Sequence, residues 1–216
     1  MRDHFEKEIE KLQLEILKMS SMVEECLILS TTALKNKDLK LARSVIENDE
    51  AIDNKEIAIE DQCLKLIALQ QPLAKDLRII ATAMKIITDL ERIADYAVDI
   101  SKITLKIANE EYIKELIDIP LMAQKAAEMV RLSIDAYINS DVEQAKHAAQ
   151  LDDEVDHLHR KIFEELIGIM VKHPEKVNQA THFLLVSRYL ERIGDHVTNI
   201  CERIIYSETG ARVDLN

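Results

Sequence analysis

Leu90-Glu91-Arg92-Ile93-Ala94-Asp95 returns as Leu190-Glu191-Arg192-Ile193-Gly194-Asp195, an offset of 100 residues. Upstream of each copy a second correspondence runs at an offset of 103, pairing Ala33, Asn36, Asp38, Ala42, Asp49 and Asp53 with Ala136, Asn139, Asp141, Ala145, Asp152 and Asp156. Each half therefore carries one D-x-x-x-D and one E-x-x-x-D. Repeats of about 20–50 residues build solenoids, whereas a period near 100 is a small domain duplicated. The sequence predicts two tandem, similar units, residues 1–111 and 118–216, and a hairpin turn absorbs the difference between the two offsets.

Glycine and proline number three each in 216 residues, where average usage of about 12% would give about 26 together. With so few turn formers, and apolar residues recurring at spacings of three and four, the chain reads as all-α: two similar three-helix bundles, six long antiparallel helices in all. The first is expected over about 3–35, its apolar stripe being Leu12, Ile16, Met19, Val23, Leu27 and Leu34. Asp38 is the expected N-cap of a second helix running to about Gln70, and Pro72 opens a third that ends near Asn109. In the second half helices are expected over about 121–138, 141–172 and 175–206, with a frayed tail from Ser207.

The formal charge of −12 argues against nucleic acid and against direct binding to an anionic membrane. No apolar run is long enough to span a bilayer, and the first residues lack the apolar core of a signal peptide. Three widely spaced cysteines make neither a disulfide framework nor a C-x-x-C knuckle. A cytoplasmic protein is the expectation. No Gly-rich phosphate loop, no G-x-S-x-G elbow and no nucleophile with a nearby base are present, so the residues give no case for an enzyme.

Residues four apart share a helix face, which makes Asp49 with Asp53 one acidic edge and Glu91 with Asp95 another. In an antiparallel hairpin, residues equidistant from the turn lie side by side. Asp49/Asp95 and Asp53/Glu91 both centre on Pro72; Asp152/Asp195 and Asp156/Glu191 both centre between His173 and Pro174. Four carboxylates are thus set at one level twice over, and they must protonate, pair with bases or bind metal. All-oxygen donors favour iron, manganese, magnesium or calcium over a thiolate-type structural zinc. Asp99 extends the first edge by a turn where the second has Asn199, so the two sites are expected to differ in affinity. The competing reading is a solvated salt-bridge network drawing on Arg92, Arg192, Lys55 and surrounding lysines. His157, His159 and His196 lie beside the second cluster in sequence and have no counterparts in the first; they read as exposed pairing residues, and the methionines as core filling.

The passage from Pro72 to Ile100, containing Asp76-Leu77-Arg78 and Thr88-Asp89-Leu90-Glu91-Arg92-Ile93-Ala94-Asp95-Tyr96-Ala97-Val98, closely resembles the PhoU family of phosphate-uptake regulators, as does Tyr189-Leu190-Glu191-Arg192-Ile193-Gly194-Asp195-His196. The resemblance implies two related three-helix bundles and multinuclear metal sites at Asp49, Asp53, Glu91, Asp95 and Asp99 in one half and Asp152, Asp156, Glu191 and Asp195 in the other. Iron is favoured there, with manganese, magnesium, calcium or zinc as alternatives. It also implies a homodimer at the inner face of the membrane, held there only through partners. These are the phosphate ABC transporter and a sensor histidine kinase, whose phosphate-starvation response the family represses. Set against this adaptor are a metal-storage or di-iron-like redox bundle, which needs closed, His-supported sites, and a plain helical scaffold.

Overall fold

A computed structural model describes residues 2–215; Met1 and Asn216, the outer limits of the two expected units, lie outside the described residues. Among the described residues the chain forms six helical rods, two of them interrupted once. They are α1 (Arg2–Asn36), α2 (Leu39–Glu47) with α3 (Asp49–Gln70), α4 (Lys75–Ile107), α5 (Asp118–Asn139), α6 (Val142–Gln150) with α7 (Asp152–Lys172), and α8 (Val177–Thr209), which a 3₁₀ turn at Pro174–Lys176 introduces. All six residues of the α1 stripe are fully buried.

The interruptions fall at Asn48 and Leu151, again 103 apart, and neither glycine nor proline announces them. Their consequence is that Asp49 and Asp152 open helices α3 and α7 instead of lying mid-helix. A carboxylate is favoured in a helix's first turn, where backbone N–H groups lack partners. The first hairpin also repeats: Lys37 and Ser140 both take positive φ (56° and 54°), and the carboxylates of Asp38 and Asp141 each accept an N–H from the following helix. The second hairpin does not repeat. In the first half it bends through Gln71 and Ala74 at positive φ, in the second through the 3₁₀ turn.

One continuous core runs through both halves. Its centre is the antiparallel packing of α4 on α8. Arg78 Nε donates to Ser207 O (3.1 Å), Thr82 Oγ1 to Arg203 O (3.4 Å), His196 Nδ1 lies 3.0 Å from Asp89 Oδ1, and the rings of Tyr96 and Tyr189 stack at 5.6 Å. The residue numbers of each pair total 285, which fixes the register. Shifting by 100 turns Asp89/His196 into Tyr189/Tyr96. The two contacts are one position of a pseudo-two-fold interface, filled once by an acid with a histidine and once by two phenols. Residues 91–100 and 191–200 have the same succession of buried, half-buried and exposed positions.

The connection between halves is tied down. Gln179, 3% exposed, accepts from Ile113 N (2.7 Å) and donates to Glu110 Oε2 and Glu111 O. Tyr112 donates to Leu34 O and sets its ring edge-on to Phe183. The chain's end departs from expectation. α8 continues to Thr209, and Val213 and Leu215 pack against the core. Their spacing of two is that of an extended strand, so a search for helical period passed over it.

Candidate metal centres

Between α3 and α4 the first acidic group assembles as the hairpin register requires. Asp49 is half-buried, and its carboxyl is pushed up first by burial and then by the charges of Asp53 and Asp95, with Asp99 adding to them. Glu91 is raised by burial and then by Asp95, Glu56 and Asp53, while Arg92 opposes. Both cross-pairs inferred from the turn, Asp49 with Asp95 and Asp53 with Glu91, are therefore in electrostatic reach. Two cations stand among them. Arg92 places Nε 3.4 Å from Glu91 Oε2 and donates from NH1 to Asp95 Oδ2 at 3.0 Å; Lys102 Nζ donates to Asp99 Oδ1 at 2.9 Å.

The second group, between α7 and α8, sits deeper. Burial, followed by the charges of Asp156, Asp195 and Glu191, pushes the Asp152 carboxyl up to about 7. Glu191 is raised by burial and by Asp195 against the opposing Arg188, its hydrogen-bond partner. The cause of the depth is Gly194. A Cβ at that position would stand 2.1 Å from Asp152 Oδ1 and 3.2 Å from its Cγ. The bare helix backbone is thus the floor on which Asp152 rests, and in the first half Ala94 occupies that place. Asp152, Asp153, Asp156 and Asp195 line an open cavity of about 380 Å³, with Leu215 in its wall.

The proposed salt-bridge network is realised only in part. Lys55 pairs with Glu15 instead, and Arg192 donates to Tyr96 OH while its charge still reaches Glu191 and Asp195. The histidines disperse: His159 Nδ1 meets Ser187 Oγ at 3.1 Å, His196 turns across to Asp89, and His157 is exposed. The closed, His-supported centre of a redox bundle is not assembled here.

Within the two clusters, three buried carboxylate oxygens, Asp49 Oδ1, Asp152 Oδ1 and Glu191 Oε2, have no hydrogen-bond partner among the described residues; outside them Asp89 Oδ2 also lacks one, with Arg203 Nε 3.4 Å away. Unpaired buried acceptors are costly, and a hard cation is the partner that all-oxygen donors suit. The residues present fit the metals the resemblance implies. The carboxylates form an open rim, and among the described residues no three His, Cys, Asp or Glu side chains are already gathered around one point. Sequence reasoning missed the parts played by Gly194 and Leu215, and by position 102/202, where Lys102 in one half answers to Glu202 in the other.

The PhoU domain profile matches residues 16–104 and again 119–204, each span holding one complete acidic cluster. The chain belongs to the PhoU family. Relatives in that family include a phosphate-specific transport system accessory protein PhoU homolog of Clostridium acetobutylicum, 44% identical over 216 residues, covering 100% of this chain and 99% of the relative. The homolog of the same description in Zymomonas mobilis is 36% identical, covering 97% and 88%. Two solved PhoU structures, from Pseudomonas aeruginosa and Streptococcus pneumoniae, each superpose with a TM-score of 0.91 at 31% identity. They span 96% and 97% of this chain and 100% and 99% of their own. The Streptococcus pneumoniae protein is described as a phosphate transport system regulatory protein.

Proposed function

We propose that this protein is an accessory and negative regulator of phosphate-specific transport. It acts as a cytoplasmic, homodimeric adaptor between the phosphate ABC transporter and a sensor histidine kinase. The observation that supports this most is the whole-chain similarity to PhoU homologs named as transport accessory proteins, with both acidic clusters inside the matched spans. No helix among the described residues is long and apolar enough to cross a membrane, so membrane association is assigned to the partners.

In this reading Asp49, Asp53, Glu91, Asp95 and Asp99 hold cations in one half and Asp152, Asp156, Glu191 and Asp195 in the other, iron being favoured. Bound there, a cation supplies the charge that the orphaned oxygens lack. The chain's own part is to present donors from two rods at one level, so that α3 is tied to α4 and α7 to α8. The role is one of binding, and no catalytic step is assigned.

Deletion of the gene should raise phosphate-starvation gene expression in phosphate-rich medium, and the rise should vanish when the sensor kinase is also removed. Unchanged expression with loss of iron storage or oxidant resistance would return the case to the metal-storage reading. For the clusters, Asp49→Ala with Glu91→Ala should empty the first half and leave the second loaded by elemental analysis; undiminished content places the metal elsewhere.

A further inference from the structure

The second acidic centre has a component that the first lacks. Gly210, at φ 74°, ends α8 in the left-handed conformation that glycine adopts without strain. Its N–H closes on Tyr206 O, and Ala211 N–H on Thr209 Oγ1. The chain then turns back along the helix it has just left. Arg212 lies over the Tyr206 ring at 5.8 Å, and Leu215 N–H donates to Glu202 Oε1 at 2.9 Å. From Thr209 back to Glu202 is seven residues, or about 10 Å of helix, and six extended residues reach about 20 Å, so the return is easily made. It ends with Leu215 as an apolar wall of the cavity that Asp152, Asp156 and Asp195 line.

In the first half the equivalent chain leaves in another direction. After α4 it crosses to Leu34 and Gln179, and the residue in the place of Glu202 is Lys102, turned to Asp99. The segment that follows α4 makes its hydrogen bonds at Leu34 and Gln179 instead of returning to Lys102. The asymmetry is thus a matched pair of changes: an acid at 202 that receives the tail, and a tail to be received.

We propose that residues 211–215 are a strap that closes the second acidic centre and sets how fast a divalent cation leaves it, a role that rests on the cation reading above. One backbone hydrogen bond and two half-buried side chains hold the strap at this end. A segment so lightly held opens at a small fraction of the free energy of global unfolding. Closed, it places hydrocarbon beside the carboxylates, excludes water from one side and strengthens their attraction for a cation. Open, it gives water and competing ligands a path to the same oxygens.

The test is Mn²⁺ release into excess chelator, followed by stopped flow in the full-length chain. In an Asp49→Ala/Glu91→Ala background only the second centre is read; in Asp152→Ala/Glu191→Ala, only the first. Val213→Ser with Leu215→Ser should speed release from the second centre at least about tenfold and leave the first unchanged. Glu202→Ala should act in the same direction, whereas Glu202→Gln, which keeps an acceptor oxygen, should stay near the parent. Parental release rates from a second centre that still binds Mn²⁺ would overturn the strap while the cation reading stands. Equal acceleration at both centres would overturn it as general loosening. A parent chain that binds no Mn²⁺ at either cluster would bring down the cation reading and the strap together.

Discussion

The two acidic centres descend from one pattern and have been finished differently. The first is shallow, with Ala94 in the place of Gly194, and carries its own cation in Lys102; the second is deeper, floored by Gly194, and has Glu202 and a returning tail where the first has Lys102 and a chain that leaves toward Leu34 and Gln179. The first manages repulsion among its carboxylates by charge compensation. The second has Arg188 on Glu191 but buries its carboxylates further, to the point that Asp152 is raised to about 7. A duplicated scaffold has thus become one shallower centre with Arg92 and Lys102 among its carboxylates and one deeper centre in which repulsion is stronger.

The largest effect should come from the floor. Gly194→Ala forces the Asp152 carboxylate from its place, since the new Cβ would fall 2.1 Å from Oδ1. The displaced atoms are the free end of a side chain, so the fold should tolerate the change with little shift in its unfolding midpoint. Mn²⁺ affinity of the second centre should nonetheless fall ~10–100-fold, the range seen when a ligand loses its positioning. Calorimetric titration against an Ala94→Gly control, which should leave the first centre near its parental affinity, checks this. Equal responses in the two halves would erase the distinction between the floors.

Charge concentration makes a pH prediction for the metal-free protein. Asp152 keeps its proton in the folded state between its unfolded value of about 3.9 and about 7. The native chain therefore binds the extra proton across that window, and unfolding free energy falls as pH rises through it. Asp152→Asn should stabilise the chelated protein at pH 8 and leave it unchanged at pH 3. The gain should be about 1–2 kcal/mol, well below the full shift because the side chain is only half-buried. Asp49→Asn should gain less. Urea unfolding at the two pH values measures both, and added metal should reverse the sign.

The smallest effect belongs to the built-in cation. Lys102→Ala should tighten Mn²⁺ binding at the first centre by about two- to fivefold, the scale of an exposed ion pair removed from competition. Glu202→Lys should weaken the second by a similar factor. Raising the salt concentration should shrink the first difference.

Much of this arrangement was legible before any coordinates, because the decisive signals were periodic. The α1 stripe, the two offsets and the equal distances of Asp49 and Asp95 from Pro72 are all consequences of helix geometry, and the carboxylates meet where that geometry puts them. The interruptions at Asn48 and Leu151 were hidden, since a helix can bend at an ordinary residue when packing demands it. Gly194 was visible as a letter; its use depends on how closely another rod approaches. His196 looked like a neighbour of Asp195 along the chain, yet adjacent residues on a helix point about 100° apart, and it serves the opposite half. The tail was unreadable because its apolar residues follow the period of a strand.

The unequal pairs at the centre of the α4/α8 interface bear on which halves can be exchanged between chains. Should two copies open and re-pair, first half to first half in the same register, Asp89 would face Tyr96 and Ile103 would stand in place of Arg203. A carboxylate only 6% exposed would then be shut in without either of its basic partners, a loss of a kind that costs several kcal/mol. First half with second half gives Asp89 both of its basic neighbours, His196 at 3.0 Å and Arg203 at 3.4 Å. By replacing one of two equivalent tyrosine contacts with an acid and a histidine, the chain carries a lock against domain swapping between like halves, and a cut chain should reassemble only as unlike pieces.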